Sequence, residues 1–152
     1  MFVVLLGLLL ALGVGTGAAG QDARPVSPGA TVELVDSGFE FTEGPLWYEG
    51  GLLFSDIPAN TVYRWTPEGG TTVFLRPSGR ANGLALDAQG ALLLAQHKGQ
   101  VGRHAADGTV SPLVQAYGGR RLNSTNDLTV ASDGAIYFTD PPYGVEEGER
   151  RL

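Results

Sequence analysis

One pattern recurs three times in this chain and restricts its fold more than any other feature. "GLLFSDIPANTVYRWTPEGG" begins at Gly51, "GALLLAQHKGQVGRHAADGT" at Gly90 and "GAIYFTDPPYG" at Gly134. Each opens on glycine, runs through apolar residues and meets a polar one: Asp56, His97 and Asp140. The starts lie 39 and 44 residues apart. "LALDAQG" precedes the second unit and "LTVASDG" the third. In both, alternating apolar residues lead into a polar turn and glycine, as in a β-hairpin. The first two units continue into a third segment, "TVYRWTP" and "QVGRHAADG". A glycine turn and a fourth segment follow, "TTVFL" and "TVSPLV". Four short strands every ~40 residues is the period of a β-propeller blade. No window carries a convincing 3.6-residue apolar stripe, so few helices are expected. Residues 50–56, 91–96 and 135–139 are expected to be corresponding strands of successive blades.

Residues 31–152 have room for roughly three blades, whereas closed propellers use about four to eight. Three blades alone would leave sheet faces and edges open. The sequence therefore reads as the N-terminal part of a longer all-β propeller, a fragment poorly stable alone. Its 152 residues and 43% hydrophobic content fit one globular domain. A net charge of −6 disfavours a nucleic-acid partner, which would need a basic face. The absence of cysteine excludes disulfides and thiolate metal ligation.

The N-terminus carries the information on location. "MFVVLLGLLLALGVGTGAAGQD" has no charge before Asp22. An apolar run is followed by small residues, with Ala18 and Gly20 placed as the −3 and −1 positions of a cleavage site. Residues 1–20 are read as a signal peptide and the protein as secreted or periplasmic. The basic residue usual at the start of such a signal is missing. The rival reading is an uncleaved membrane anchor, for which about 20 glycine-rich residues is a marginal length.

Several residues carry two readings each. Glu43, in "FTEGP", is either a solvated loop acid or a carboxylate directed down a central channel. Asn126, in "NSTND", is either a turn former or a neutral oxygen ligand suited to a hard cation. Asn123 either caps the turn or contacts substrate. Asn82 stands in "ANGLALD" as Asn126 does before its own strand, yet "NG" is also a turn signal. His97 either touches substrate or is satisfied within the blade. Asp127 is expected to bond nearby backbone. Tyr143 is a candidate for the pocket wall, although the double proline beside it mainly fixes a turn. His104 is expected to be exposed in a polar hairpin.

"FTEGPLW", "ANGLALDAQGALLLAQHKGQVGR" and "RLNSTNDLTVASDGAIYFTDPPYG" together resemble the SMP-30/gluconolactonase/luciferin-regenerating-enzyme family. The likeness covers residues 32–144 and is nearest its bacterial gluconolactonase-type branch. It implies a six-bladed propeller with one divalent ion in the channel, calcium above all, with zinc or magnesium as alternatives. It implies Glu43 as a metal ligand and Asn126 as a site residue, a metal ligand in some branches of the family and a substrate contact in others. Here Glu43 and Asn126 are taken as the metal ligands, and Asn82, His97 and Asn123, from their own positions, as the candidate substrate contacts. The implied reaction is opening of a sugar lactone or related ester: the ion polarises the carbonyl and activates water, and a carboxylate acts as general base. That base, an Asp, and a further Asn ligand are expected beyond Leu152, so this chain would carry half a site and be inactive alone. No G-x-S-x-G, phosphate loop or H-E-x-x-H offers a rival chemistry. Two non-catalytic alternatives stand beside it: a propeller used only for binding, and an anchored interaction protein. Glu43 argues against the strictosidine-synthase-like branch, which lacks the metal constellation.

Overall fold

The computed structural model describes residues 26–146 and 148–149. The expected signal, residues 1–20, lies outside the described residues. The chain divides into two compact units. The described part of one, residues 26–37, holds a turn in which the Ala30 N–H donates to the Ser27 carbonyl (3.1 Å). The other runs from Gly38 and carries the strands.

Two four-stranded meanders form its body. The first contains β1 (Thr42–Tyr48), β2 (Gly51–Asp56), β3 (Thr61–Thr66) and β4 (Gly70–Leu75), hydrogen-bonded in that order. The second contains β5 (Ala81–Leu86), β6 (Leu92–Gln96), β7 (Gln100–His104) and β8 (Val110–Val114), again in chain order. A short hairpin follows, β9 (Ala116–Tyr117) with β10 (Arg120–Arg121). A third sheet begins with β11 (Leu128–Val130) and β12 (Ile136–Phe138), before one 3-10 turn at Pro142–Gly144. All pairings are antiparallel. The three expected strands are present as β2, β6 and β12, the last shorter than its apolar run. This is the blade architecture of a β-propeller.

The continuous apolar runs have a direct cause: β2 and β6 are buried along their whole length. Side chains alternate across a strand, and β6 sends successive residues to two different cores. Leu92 and Leu94 join Leu53, Val62, Ala81 and Leu84 between the first and second sheets. Leu93 and Ala95 join Val101 and Leu128 between the second and third. A strand packed on both faces reads as unbroken apolar sequence. His104, expected in open solvent, is instead half-buried in β7 with its ring 5.2 Å from that of Phe74. Its imidazole supplies an apolar body to the contact between adjacent sheets.

The polar residue ending each run has a structural task. Asp56 accepts the backbone N–H groups of Glu40 (3.1 Å) and Phe41 (3.2 Å). Gln96 Nε2 donates to the Ser78 carbonyl (2.6 Å), and Asp140 Oδ2 accepts the Asn123 N–H (2.8 Å). In each sheet this side chain ties down the segment entering the first strand. The register corrects the repeat alignment at one point. The pairs Leu84↔Leu94 and Leu128↔Phe138 make Asp140 the counterpart of Gln96, not of His97. With Gln96 holding the entry segment, His97 is left for another use.

Candidate functional site

The first strands of the three sheets meet edge against edge. Between Glu43 and Leu46 the pairing of β1 with β2 is bulged, and β5 is bulged between Ala81 and Leu84. At β11 the Asn126 N–H donates to the Thr139 carbonyl and the Thr139 N–H to that of Asp127, both at 3.0 Å. Two consecutive residues thus face one, which is again a bulge. Each irregularity turns the start of a first strand away from its own sheet.

Glycine lets these strands touch. A Cβ at Gly44, whose φ is +56°, would collide with the Asn82 carbonyl oxygen. That same oxygen accepts the Ser55 hydroxyl at 2.8 Å. One strand further on, the Gly83 N–H donates to the Asn126 carbonyl (2.8 Å), and a Cβ at Gly83 would run into the Asp127 carboxylate. The "NG" at Asn82 is therefore not a turn: Gly83 lies within β5 and is small because Asn126 and Asp127, leading into β11, pass against it. Asp127 bonds the backbone as expected, accepting the Leu128 N–H at 2.9 Å. Gly44 and Ser55 were not singled out from sequence; the glycine of "EGP" was the available signal.

These contacts place Glu43 and Asn82 on the first strands β1 and β5, and Asn126 just ahead of β11, at the points where these segments converge. Asn82 is buried, and its Nδ2 donates to Asn126 Oδ1 at 2.6 Å. The same Nδ2 lies 3.3 Å from His97 Nε2. Asn126 thus reaches into the neighbouring sheet. His97 is half-buried at the end of β6, its backbone N–H bonded to the Arg80 carbonyl (3.0 Å). Burial holds its pKa below the ordinary imidazole value; its hydrogen bond with Asn126 opposes this, and the Arg80 charge reinforces it. Burial thus favours the neutral form of the ring.

Asn123 sits elsewhere. It is buried, and its Nδ2 donates to Asp140 Oδ2 (3.0 Å), the oxygen that also takes its N–H. Ser124 carries the adjoining loop: its hydroxyl donates to the Pro141 carbonyl (2.6 Å) and accepts the Gly144 N–H (2.8 Å). Tyr143 projects from the 3-10 turn and is 76% exposed. The structure therefore brings Asn82, His97 and Asn126 into one cluster, with the strand of Glu43 against it. Asn123 and Tyr143 belong to the bounding loop.

Among the described residues, no three His, Cys, Asp or Glu side chains group to hold a metal. The donor set is of another kind: amide oxygens with one carboxylate on the adjoining strand. Such hard oxygen donors suit calcium or magnesium better than a soft ion. Asn126 Oδ1 accepts from Asn82 Nδ2, and His97 also hydrogen-bonds the Asn126 side chain.

Comparison with known proteins bears on this arrangement. Residues 41–151 match the SMP-30/Gluconolactonase/LRE-like region. A gluconolactonase of Zymomonas mobilis is 39% identical over 132 residues, covering 75% of this chain and 37% of the relative. Among solved structures, a gluconolactonase of Xanthomonas campestris superposes with a TM-score of 0.67 at 43% identity, over 71% of this chain and 37% of the other. A structure carrying a provisional gluconolactonase name gives a TM-score of 0.77 at 31% identity, over 86% and 50% of the two chains. Virginiamycin B lyase of Staphylococcus aureus, with quinupristin, shares the fold at 20% identity and a TM-score of 0.53, over 72% and 37%. The chain spans about a third to a half of the length of these relatives.

Proposed function

The chain belongs to the SMP-30/gluconolactonase/LRE-like family, and on that premise we propose that it contributes to a divalent-cation-dependent hydrolase that opens a sugar lactone or related ester with water. The observation that carries this proposal is the path of the Asn126 side chain, which crosses to Asn82 instead of folding onto its own turn. A turn former would spend its oxygen locally. Asn126 spends it where three first strands converge, beside the strand of Glu43.

Glu43 and Asn126 are the proposed ligands of one ion, with calcium preferred over zinc and magnesium. When bound, the ion supplies Lewis-acid polarisation of the lactone carbonyl and activation of water. Asn82 and the neutral imidazole of His97 are the proposed contacts for substrate hydroxyls, each offering both donor and acceptor capacity. Asn123 is proposed to act behind them by fixing the loop through Asp140. The burial of Asn82 and His97 strengthens whatever hydrogen bonds they make to a ligand, because water competes less there.

The intact protein is expected to hydrolyse an aldonolactone, followed by acid release at constant pH. Chelation should reduce the rate to the spontaneous one, and calcium should restore it. A lactone that binds without turnover would instead identify a binding module. Residues 31–152 are proposed as the N-terminal portion of the propeller, and residues 1–20 as an export signal that leaves the protein secreted or periplasmic. Mass spectrometry of exported material should find a chain beginning after about residue 20; retention of Met1 there would contradict it and favour the anchored alternative.

A further inference from the structure

The chain is acidic, with a net charge of −6, yet it gathers positive charge around one turn. That turn joins β6 to β7, carries His97 and Lys98, and is closed by the Gly99 N–H donating to the Gln96 carbonyl (2.9 Å). Arg80 meets it from the segment entering β5, its carbonyl accepting the His97 N–H at 3.0 Å. Lys98 lies over the same segment: a Cβ at Gly79 would stand 3.0 Å from Lys98 Cε. Arg121 comes from β10 and donates from Nη2 to the Lys98 carbonyl at 3.3 Å. All three cations are exposed, and among the described residues none of them makes an ion pair. Arg76, in the same connection, is engaged instead: its Nε donates to Thr61 Oγ1 at 2.7 Å and its Nη2 to the Tyr63 hydroxyl at 3.3 Å. Two acids of this end are committed to backbone, Asp127 to the Leu128 N–H and Asp140 to that of Asn123.

Arg80 adds an independent observation. Its φ is +53°, a left-handed conformation that glycine adopts freely and a residue with a Cβ adopts at a cost. Gly79 before it is left-handed too, at +67°. The Asn60 side chain holds this peptide in place, its Oδ1 accepting the Arg80 N–H at 2.7 Å. An arginine kept where glycine would be cheaper points to a task for its side chain. Like charges drawn together repel unless an anion is shared among them. Guanidinium and ammonium groups are apt donors to phosphate and carboxylate oxygens.

We infer that Arg80, Lys98 and Arg121 form an anion-selecting rim, so that the lactone or ester taken by this site carries a phosphate or carboxylate at the end away from the bond that opens. The inference rests on the proposed function and names its substrate class. Glu43 and Asn126 are the residues proposed at the reacting end. The rim stands beside His97, among the proposed substrate contacts. A charge held there contributes to binding rather than to ring opening, so the preference is expected in KM and not in kcat.

Kinetics of the intact protein with three lactones test this: neutral gluconolactone, the same lactone phosphorylated on its terminal hydroxyl, and glucarolactone, which carries a carboxylate instead. At low ionic strength at least one anionic lactone should show a KM roughly tenfold below that of the neutral one, and the gap should narrow in high salt. Which of the two gains identifies the anion. Lys98→Gln and Arg121→Gln should each reduce the preference roughly threefold. Arg80→Gly should reduce it likewise while unfolding no earlier in denaturant, because glycine suits that backbone; a merely structural Arg80 would leave the preference unchanged. Equal KM for neutral and anionic lactones, or a preference that survives all three substitutions, overturns the inference. A binding arm stands apart from hydrolysis: calorimetric titration with sorbitol phosphate and with sorbitol, in calcium-free buffer. Tighter binding of sorbitol phosphate, lost when Lys98→Gln and Arg121→Gln are combined, supports the rim even in a protein that opens no lactone. Sorbitol phosphate binding no better than sorbitol counts against the rim even in a protein that hydrolyses the neutral lactone.

Discussion

Glu43→Gln in the intact protein should weaken calcium binding on the order of 100-fold, about 2.8 kcal/mol, and reduce lactone hydrolysis to near background. Glutamine keeps the length and one oxygen of the side chain but removes its charge. The affinity of an oxygen site for a hard cation depends strongly on how many charged ligands it holds. Glu43 is the only carboxylate proposed as a ligand here, beside neutral amides. Asn126→Ala should act in the same direction by a smaller factor, because it removes a neutral donor. If Asn126 served only a turn, its loss would cost about 1 kcal/mol of stability and nothing in calcium affinity. Isothermal titration of the two variants, alongside denaturant unfolding, distinguishes these cases. A folded Glu43→Gln protein with unchanged affinity would exclude Glu43 as a ligand.

Gly44→Ala should be the most damaging single methyl group in this region. Two costs add at that position. A φ of +56° is unfavourable for any residue with a Cβ, and the added carbon meets the backbone carbonyl of Asn82 rather than a movable side-chain tip. Accommodating it means parting β1 from β5, which strains the Ser55–Asn82 hydrogen bond and the packing of Leu46 on the core between the first two sheets. The expected loss is roughly 2–5 kcal/mol by chemical denaturation. Calcium affinity should fall with it, since Asn82 and Glu43 move together. Gly90→Ala is the control: φ is +79°, but nothing lies within 4 Å of the added carbon. It should show the conformational cost alone and leave calcium binding unchanged.

The blade pattern was legible because burial on both faces writes itself into composition. β2 and β6 read as unbroken apolar runs for that reason, and the glycine and polar punctuation around them marks hairpin turns. The family likeness rested on short motifs that fall where first strands begin, and there the structure brings Asn82, His97 and Asn126 together. Long-range contacts were less visible. Nothing local in "NG" says that Gly83 is small because the segment entering β11 passes it at Asp127, 44 residues later. The one-residue offset of Asp140 against His97 comes from strand register, which repeat alignment does not encode. His104 looked solvent-facing beside charged neighbours, yet its ring packs on Phe74 of the adjacent sheet. Polar sequence around a residue describes its loop, not the surface that another strand lays against it.

The central claim is that Glu43 and Asn126, 83 positions apart, hold one ion between them. Crystals of the intact protein grown in calcium, with anomalous diffraction collected at long wavelength, test it most directly. The expected result is one peak with both the Glu43 carboxylate and Asn126 Oδ1 at ~2.3–2.6 Å, the ordinary calcium–oxygen distance. A calcium site ligated by neither residue, or no site at saturating calcium, would contradict it.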